Sequence, residues 1–100
     1  MIDVAEKDMA LLQEILCAHL TGAKIWAFGS RTKGVAKRGS DLDLAIDNGS
    51  PMDFSSKARL SNALDEAPLP FNVDLVDLHA ISPEFRALID AHKIALPGFE

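Results

Sequence analysis

The stretch from Phe28 to Asp43 restricts the fold of this chain more than any other part of the sequence. It reads Phe28-Gly29-Ser30 at its start and Asp41-Leu42-Asp43 at its end. Side chains in a β-strand alternate between the two faces, so Asp41 and Asp43 share one face and Leu42 lies on the other. The pattern predicts a buried strand, a glycine turn with a short helix, and a second strand that carries two carboxylates on one face.

The carboxylates and the glycine turn suit one composite ligand. Asp41 and Asp43 begin roughly 7 Å apart along the strand and can converge on a shared cation. Like charges this close repel each other, and Mg2+ removes the repulsion by coordinating their oxygens. Gly29 lets the backbone approach a ligand closely, and the start of the following helix offers N–H groups to a phosphate. The segment therefore predicts a site for a phosphate beside a divalent cation.

The positive charges of the chain gather in the same segment. The formal net charge of -5 argues against a general nucleic-acid binder, which would usually show a basic face. Of the ten Lys and Arg residues, a group follows Ser30 closely: Arg31, Lys33, Lys37 and Arg38. Such a run is often only a solvated helix face. Because this run lies between a glycine turn and two carboxylates, we expect its positive charges to neutralise a triphosphate.

The combination of these motifs resembles a known superfold. Gly29-Ser30 followed by Asp41-Leu42-Asp43 is similar to the nucleotidyltransferases of the DNA polymerase beta type. More narrowly, Gly-Ser-Arg-Thr-Lys-Gly with Ser-Asp-Leu-Asp-Leu-Ala-Ile resembles the minimal nucleotidyltransferases, the MNT antitoxin partners of HEPN proteins. Each motif alone is weak, and both together, at this spacing and with a later acidic strand, are fairly specific. The resemblance spans most of the chain and implies a nucleotidyltransferase fold.

The resemblance also implies a third carboxylate on a later strand, at Asp74. Val73 and Leu75 flank it, and an unpaired carboxylate among apolar neighbours is costly unless it serves a metal. Asp77 is an odd number of residues away, so it faces the other side of the strand and cannot share the role. The alternative, that Asp74 is an ordinary edge-strand charge, stays open.

The reaction implied by the resemblance is two-metal nucleotidyl transfer, in which a hydroxyl attacks the α-phosphorus of ATP and pyrophosphate leaves. The implied catalytic and metal-binding residues are Asp41, Asp43 and Asp74, with two Mg2+ ions. The implied nucleotide-binding residues are Gly29, Ser30, Arg31 and Lys33. Family members commonly carry Ala and Arg where Thr32 and Lys33 stand, and lysine keeps the charge without the bidentate fork of arginine.

The length of the chain bears on its partners. One hundred residues form one domain, 1–100, with no room for a second substrate-binding domain. Larger members of the superfold use a second, helical domain, so the resemblance implies a helical HEPN-type partner, often an RNase toxin, that is modified with AMP. The chain contains no tyrosine, so an acceptor tyrosine must lie in another chain. Homo-oligomers and hetero-oligomers both remain open.

Two other functions remain open as well. The first is an inert antitoxin, a binding module that caps its partner without turnover. The second is a small-molecule adenylyltransferase of the aminoglycoside type, which would share the chemistry. Labelling with ATP separates the three functions, because AMP would appear on a partner protein, on a small molecule or nowhere.

The apolar periodicity predicts a small α/β domain. Helices are predicted over 4–20, over 54–64 and from Ser82 onward, strands over 24–28, 41–46 and 72–78, and a short helical segment from Ser30 to about 37–39. The sheet is expected to be mixed, with three strands or slightly more and helices mainly on one face. Asp3 and Glu6 resemble a capping box, and Asp53 and Ser82 are predicted N-caps. Pro97-Gly98 is expected to end the ordered chain.

The composition indicates an ordinary globular protein, with 48% hydrophobic and 25% charged residues. No apolar run approaches the ~20 residues of a membrane span, and the N-terminus lacks a basic segment followed by an apolar one. Cys17, the lone cysteine, lies among apolar residues and is expected to be a buried thiol in a reducing compartment. These observations predict a cytoplasmic protein.

Overall fold

A computed structural model describes residues 2–34, 37 and 39–100. The helices are α1 (Glu6–His19), α2 (Phe54–Glu66) and α3 (Pro83–His92), and the strands are β1 (Lys24–Phe28), β2 (Leu42–Asp47), β3 (Val73–Asp77) and β4 (Ile94–Ala95). A single 3-10 turn, Ser30–Thr32, follows β1. The element order confirms the predicted α/β class, and the predicted strands agree with the observed ones to within a residue at each end.

The strands form one mixed sheet in the order β3-β2-β1-β4. β1 pairs with β2 and β4 antiparallel, whereas β3 lies parallel to β2 because α2 connects them as a crossover. The fourth strand agrees with a sheet slightly larger than three strands. It lies beyond α3, where the sequence analysis predicted no strand, and Phe99 after it is buried against the core. The expected end of order at Pro97-Gly98 is therefore wrong.

The two faces of the sheet are covered differently. The helices α1 and α2 close one face with a continuous apolar core, to which Leu12 and Leu60 of the helices and Leu44 of β2 belong. Of the described helices, only α3 packs on the other face, where Ile89 belongs to a smaller cluster that includes Ala45. Helices thus lie mainly on one face, as predicted.

Two of the predicted helix caps are confirmed. Asp53 accepts a hydrogen bond from the Ser56 amide at the start of α2, and Ser82 accepts one from the Phe85 amide at the start of α3. The capping box at the first helix is wrong. Ala5 is the N-cap, with no side-chain hydrogen bond.

Two further expectations need correction. Cys17 is exposed, because it follows the buried Leu16 by one residue and so lies about 100° around the helix from the core side. The helical segment after Ser30 is a single 3-10 turn within the described residues. The described residues 33, 34, 37 and 39 of its predicted continuation are not helical, and residues 35, 36 and 38, the last of them Arg38 of the basic cluster, lie outside the residues that the structure describes.

None of the described helices is both long and apolar enough to cross a bilayer.

Candidate active site

Three neighbouring strands place Phe28, Asp43 and Asp74 in one row. Asp43 of β2 pairs with Phe28 of β1 on one side and with Asp74 of β3 on the other. Neighbouring strands lie about 4.8 Å apart, and laterally paired residues face the same side of the sheet. The tertiary structure therefore brings Asp74 beside Asp43, on the face that carries α3. Asp41 comes just before β2 and is exposed.

The charges around Asp43 act on its protonation. Burial raises the pKa of the Asp43 carboxyl, and the neighbouring carboxylates of Asp74 and then Asp41 raise this pKa further. Both causes disfavour a negative charge in the middle of the row. The folded protein thus holds Asp43 in a position where a bound cation would relieve an unfavourable interaction.

The oxygen atoms of the three carboxylates determine which kind of metal ion this set of residues suits. Across residues 2–34, 37 and 39–100, no three Asp, Glu, His or Cys side chains are gathered tightly enough to form a ready-made metal site. Asp41, Asp43 and Asp74 nevertheless lie close enough for their charges to couple at Asp43. Carboxylate oxygens are the ligands that Mg2+ prefers. The donor chemistry of these residues therefore fits a hard divalent cation.

Gly29 allows the turn to pass close to Asp43. Its φ of 83° lies in the left-handed region, and a Cβ added at this position would overlap the Asp43 carboxylate. The turn is closed by a hydrogen bond from the Thr32 hydroxyl to the Gly29 carbonyl oxygen, at 2.8 Å. Any larger residue at Gly29 would displace both the turn and the carboxylate.

The predicted phosphate-binding residues take different positions. Ser30 is half-buried at the start of the 3-10 turn. Lys33 follows the turn, is exposed, and lines a cavity together with Gly29. Lys33 is thus free to approach a ligand beside the turn.

Arg31 is instead engaged within the protein. It is buried, and its Nε and Nη1 atoms donate hydrogen bonds to the carbonyl oxygens of Ser40 at 3.0 Å and Asp3 at 2.9 Å. Its guanidinium also lies over the Phe71 ring, 4.6 Å from the centroid. The structure gives Arg31 a role in holding the turn against the rest of the fold. No local sequence signal indicates this role, since its partners are distant in the chain.

Asp77 lies on the opposite face of β3 from Asp74. It is 4% exposed, and its carboxylate accepts hydrogen bonds from the backbone amides of Met52 at 2.8 Å and His79 at 2.9 Å. These bonds satisfy a buried charge and connect the segment before α2 to the end of β3. Asp77 therefore has a structural place away from the acidic row.

Apolar side chains that were not among the predicted site residues lie beside the row. Phe85 and Leu88 of α3 remain 39% and 69% exposed, next to Phe28 and Gly29. The available signal was the helix period, which puts Phe85, Leu88 and His92 on one face of α3. That face has more apolar surface than the small cluster beneath α3 covers.

Comparison with known proteins identifies similar sequences and folds. Residues 11–96 match the family described as polymerase beta, nucleotidyltransferase. A Haemophilus influenzae protein named probable protein adenylyltransferase MntA is 43% identical over 88 residues, which cover 88% of this chain and 77% of that protein.

Solved structures of similar fold also match this chain, at lower sequence identity. A crystal structure described as the toxin-antitoxin with AMP-PNP superposes with a TM-score of 0.76 and 25% identity, over 94% of this chain and 74% of that chain. A mutant of the toxin-antitoxin MntA-HpeT superposes with a TM-score of 0.73 and 27% identity, over 89% of this chain and 71% of that chain.

Proposed function

Because this chain belongs to the polymerase beta nucleotidyltransferase family, we propose that it transfers AMP from ATP to a hydroxyl group of a partner protein. The row formed by Asp43 and Asp74 beside the Gly29 turn carries the proposal. The Haemophilus influenzae relative, which bears the name of a protein adenylyltransferase, supports the choice of AMP and of a protein acceptor. The similar structure with AMP-PNP supports an adenine nucleotide as the substrate.

The carboxylates have distinct roles in this proposal. Asp41, Asp43 and Asp74 would hold two Mg2+ ions, which neutralise phosphate charge and activate the acceptor hydroxyl when bound. Asp74, at the outer end of the row, would accept the hydroxyl proton. Asp43, in the middle of the row, has its pKa raised by burial and by its neighbours, so its charged form gains most from a cation.

The turn residues would bind the phosphates. Gly29 brings the backbone next to the Asp43 carboxylate, so phosphates at the turn would lie beside the metal ligands. The Ser30 hydroxyl and the Lys33 ammonium would contact the β- and γ-phosphates and stabilise the leaving pyrophosphate. We expect Arg31 to support the turn from behind, since its guanidinium already binds two carbonyl groups.

The acceptor would belong to another chain. Tyrosine is absent from this sequence, and the family resemblance implies a helical HEPN-type toxin with an acceptor tyrosine. The similar structures described as toxin-antitoxins support such a partner. In this proposal the chain is the antitoxin, which inactivates its partner by adding AMP.

Labelling with ATP tests the proposal. The protein, Mg2+ and α-labelled ATP are incubated with and without the helical partner, and both proteins are analysed by mass spectrometry. We expect AMP on a partner tyrosine, negligible label on the isolated chain, and no label with Asp43→Asn. A tight complex without label under any nucleotide would indicate an inert binding module. Modification of an aminoglycoside without a protein partner would indicate a small-molecule enzyme.

A further inference from the structure

A cavity of about 260 Å³ opens directly beside the acidic row. The residues that matter for its chemistry are Phe28, Gly29, Lys33, Phe85, Leu88 and His92. Phe28 is also the lateral neighbour of Asp43 in the sheet. The cavity therefore adjoins both the carboxylates and the glycine turn.

The lining of this cavity is aromatic and apolar. The rings of Phe28 and Phe85 meet edge to face, with centroids 6.3 Å apart and planes at 80°. Leu88 extends the apolar wall from the next turn of α3 and is largely exposed. Apolar side chains left open beside an otherwise charged site are typical of a pocket that receives the flat face of a ligand.

The polar groups of the cavity come from the Gly29 turn and from the end of α3. Lys33 and Gly29 line the side toward the turn, and His92 lines it near the end of α3. An imidazole nitrogen can exchange a hydrogen bond with the edge of a heterocycle, while Lys33 remains close to the phosphates. This distribution suits a ligand with a planar apolar part and an anionic tail.

We propose, as an extension of the proposed function, that this cavity holds the purine base of the nucleotide against Phe85 and Leu88. The cavity shares Gly29 and Lys33 with the predicted phosphate site, so base and phosphates can belong to one molecule. Asp74 lies on the other side of Asp43, which leaves that side of the row to the acceptor. The base and the acceptor would thus approach from opposite ends of the row.

Paired ligands test the base site. Calorimetry measures ATP and inorganic tripolyphosphate, each with Mg2+, against the wild type, Phe85→Ala and Leu88→Ala. We expect Phe85→Ala to weaken ATP binding by about tenfold, because base stacking on an aromatic side chain is lost, and to leave tripolyphosphate binding unchanged. Leu88→Ala should show the same selectivity with a smaller loss. Since both side chains are partly exposed, both variants should fold.

Phe54→Ala is the matched control. Phe54 is 87% exposed on α2, and it should change neither affinity. Unchanged ATP affinity in both cavity variants, or an equal loss for ATP and tripolyphosphate, would overturn the base site. Weaker binding of the helical partner with unchanged ATP affinity would also overturn it and assign the surface to the partner.

The same measurements separate this inference from the proposed function. A wild type that binds neither ligand would overturn both. A wild type that binds ATP in the expected way but transfers no AMP to any partner would overturn the proposed function and leave the base site supported.

Discussion

The two faces of the sheet differ in how their polar groups are satisfied. On the face covered by α1 and α2, the carboxylate of Asp77 is buried and accepts two backbone hydrogen bonds. On the face that carries α3, Asp43 is partly buried beside the like charges of Asp74 and Asp41. The first arrangement stabilises the fold. The second arrangement costs stability unless a cation binds. Like charges that are held together without a counter-ion are typical of a functional site.

The largest effect should follow from Asp43→Asn. The change removes a ligand charge from the middle of the row with little change in volume, so we expect transfer to fall by about 100-fold or more, roughly 2.7 kcal/mol of barrier. The thermal midpoint should stay unchanged or rise, because a disfavoured charge is removed. Asp47→Asn is the matched control on the same strand and face, and it should retain transfer. Full activity in Asp43→Asn would remove the distinction between the two faces.

The second test compares two aspartates of β3, of which one should affect transfer and the other the stability of the fold. Asp74→Asn should lower transfer by more than about tenfold, though by less than Asp43→Asn does, and leave the free energy of unfolding nearly unchanged, because Asp74 is exposed. Asp77→Asn should keep transfer within about tenfold. It should also lower the free energy of unfolding by about 1–3 kcal/mol, because an amide nitrogen replaces one acceptor oxygen opposite a backbone N–H. Urea denaturation and labelling of the same samples measure both quantities, and the reverse pattern would contradict the register of β3.

Arg31 and Lys33 extend the comparison to the turn. Arg31→Lys keeps the charge but loses the fork that binds two carbonyl groups, so we expect a loss of about 1–3 kcal/mol in the free energy of unfolding. Lys33→Ala should leave stability unchanged and weaken binding of ATP and tripolyphosphate alike. Urea denaturation and calorimetry check the two variants. Equal stability of Arg31→Lys and wild type would contradict a structural role for Arg31.

Mg2+ should stabilise the protein through the acidic row, on the face that carries α3. At a tenfold excess over its dissociation constant, Mg2+ should add about 1.4 kcal/mol to the free energy of unfolding of the wild type, and much less to Asp43→Asn. The pKa of Asp43 is raised, so its ionisation destabilises the folded protein as the pH rises above the ordinary value of 3.8. The stabilisation by Mg2+ should therefore increase as the pH rises above 3.8, because Mg2+ binds the ionised form of Asp43. Thermal melts at several pH values, with and without Mg2+, check this dependence.

The smallest effect is expected at the far end of β2. Hydrogen bonds from His79 and from the Gly49 amide lower the pKa of the Asp47 carboxyl. A lowered folded-state pKa contributes stability above the ordinary value of 3.8, and this stability is lost as the pH falls through the folded-state pKa. Because both side chains are partly exposed at the surface, His79→Gln should cost less than about 1 kcal/mol near neutral pH. Urea denaturation measures this loss in the free energy of unfolding. A loss as large as that expected for Asp77→Asn would mean that the pair of Asp47 and His79 is not a surface contact.

Several features could be predicted from local sequence. Alternation along a strand placed Asp43 and Leu44 on opposite faces, because the period of a strand is fixed by backbone geometry. The caps at Asp53 and Ser82 were predictable because a side chain there reaches an amide only a few residues away. The turn at Gly29 was predictable for a similar reason, since glycine adopts its backbone conformation without strain.

Other local signals failed where tertiary contacts competed with them. The capping box at Asp3 did not form, because the backbone of Asp3 is bound to Arg31, which donates to its carbonyl oxygen and accepts from its amide. Cys17 was expected to be buried because its neighbours are apolar, but the buried stripe of α1 passes through Leu12 and Leu16. The two residues of β4 are too few to give a period and form a strand only against β1.

The sequence by itself determined the types of element, the faces of the strands and the acidic and glycine motifs, since all of these depend on residues a few positions apart. Only the tertiary structure decided that Asp74 lies beside Asp43, that Arg31 is buried, and that a cavity opens next to Phe28. These features depend on the pairing of strands and helices that are distant in the chain. Such pairing follows from the burial of the whole core, which no short pattern of residues encodes.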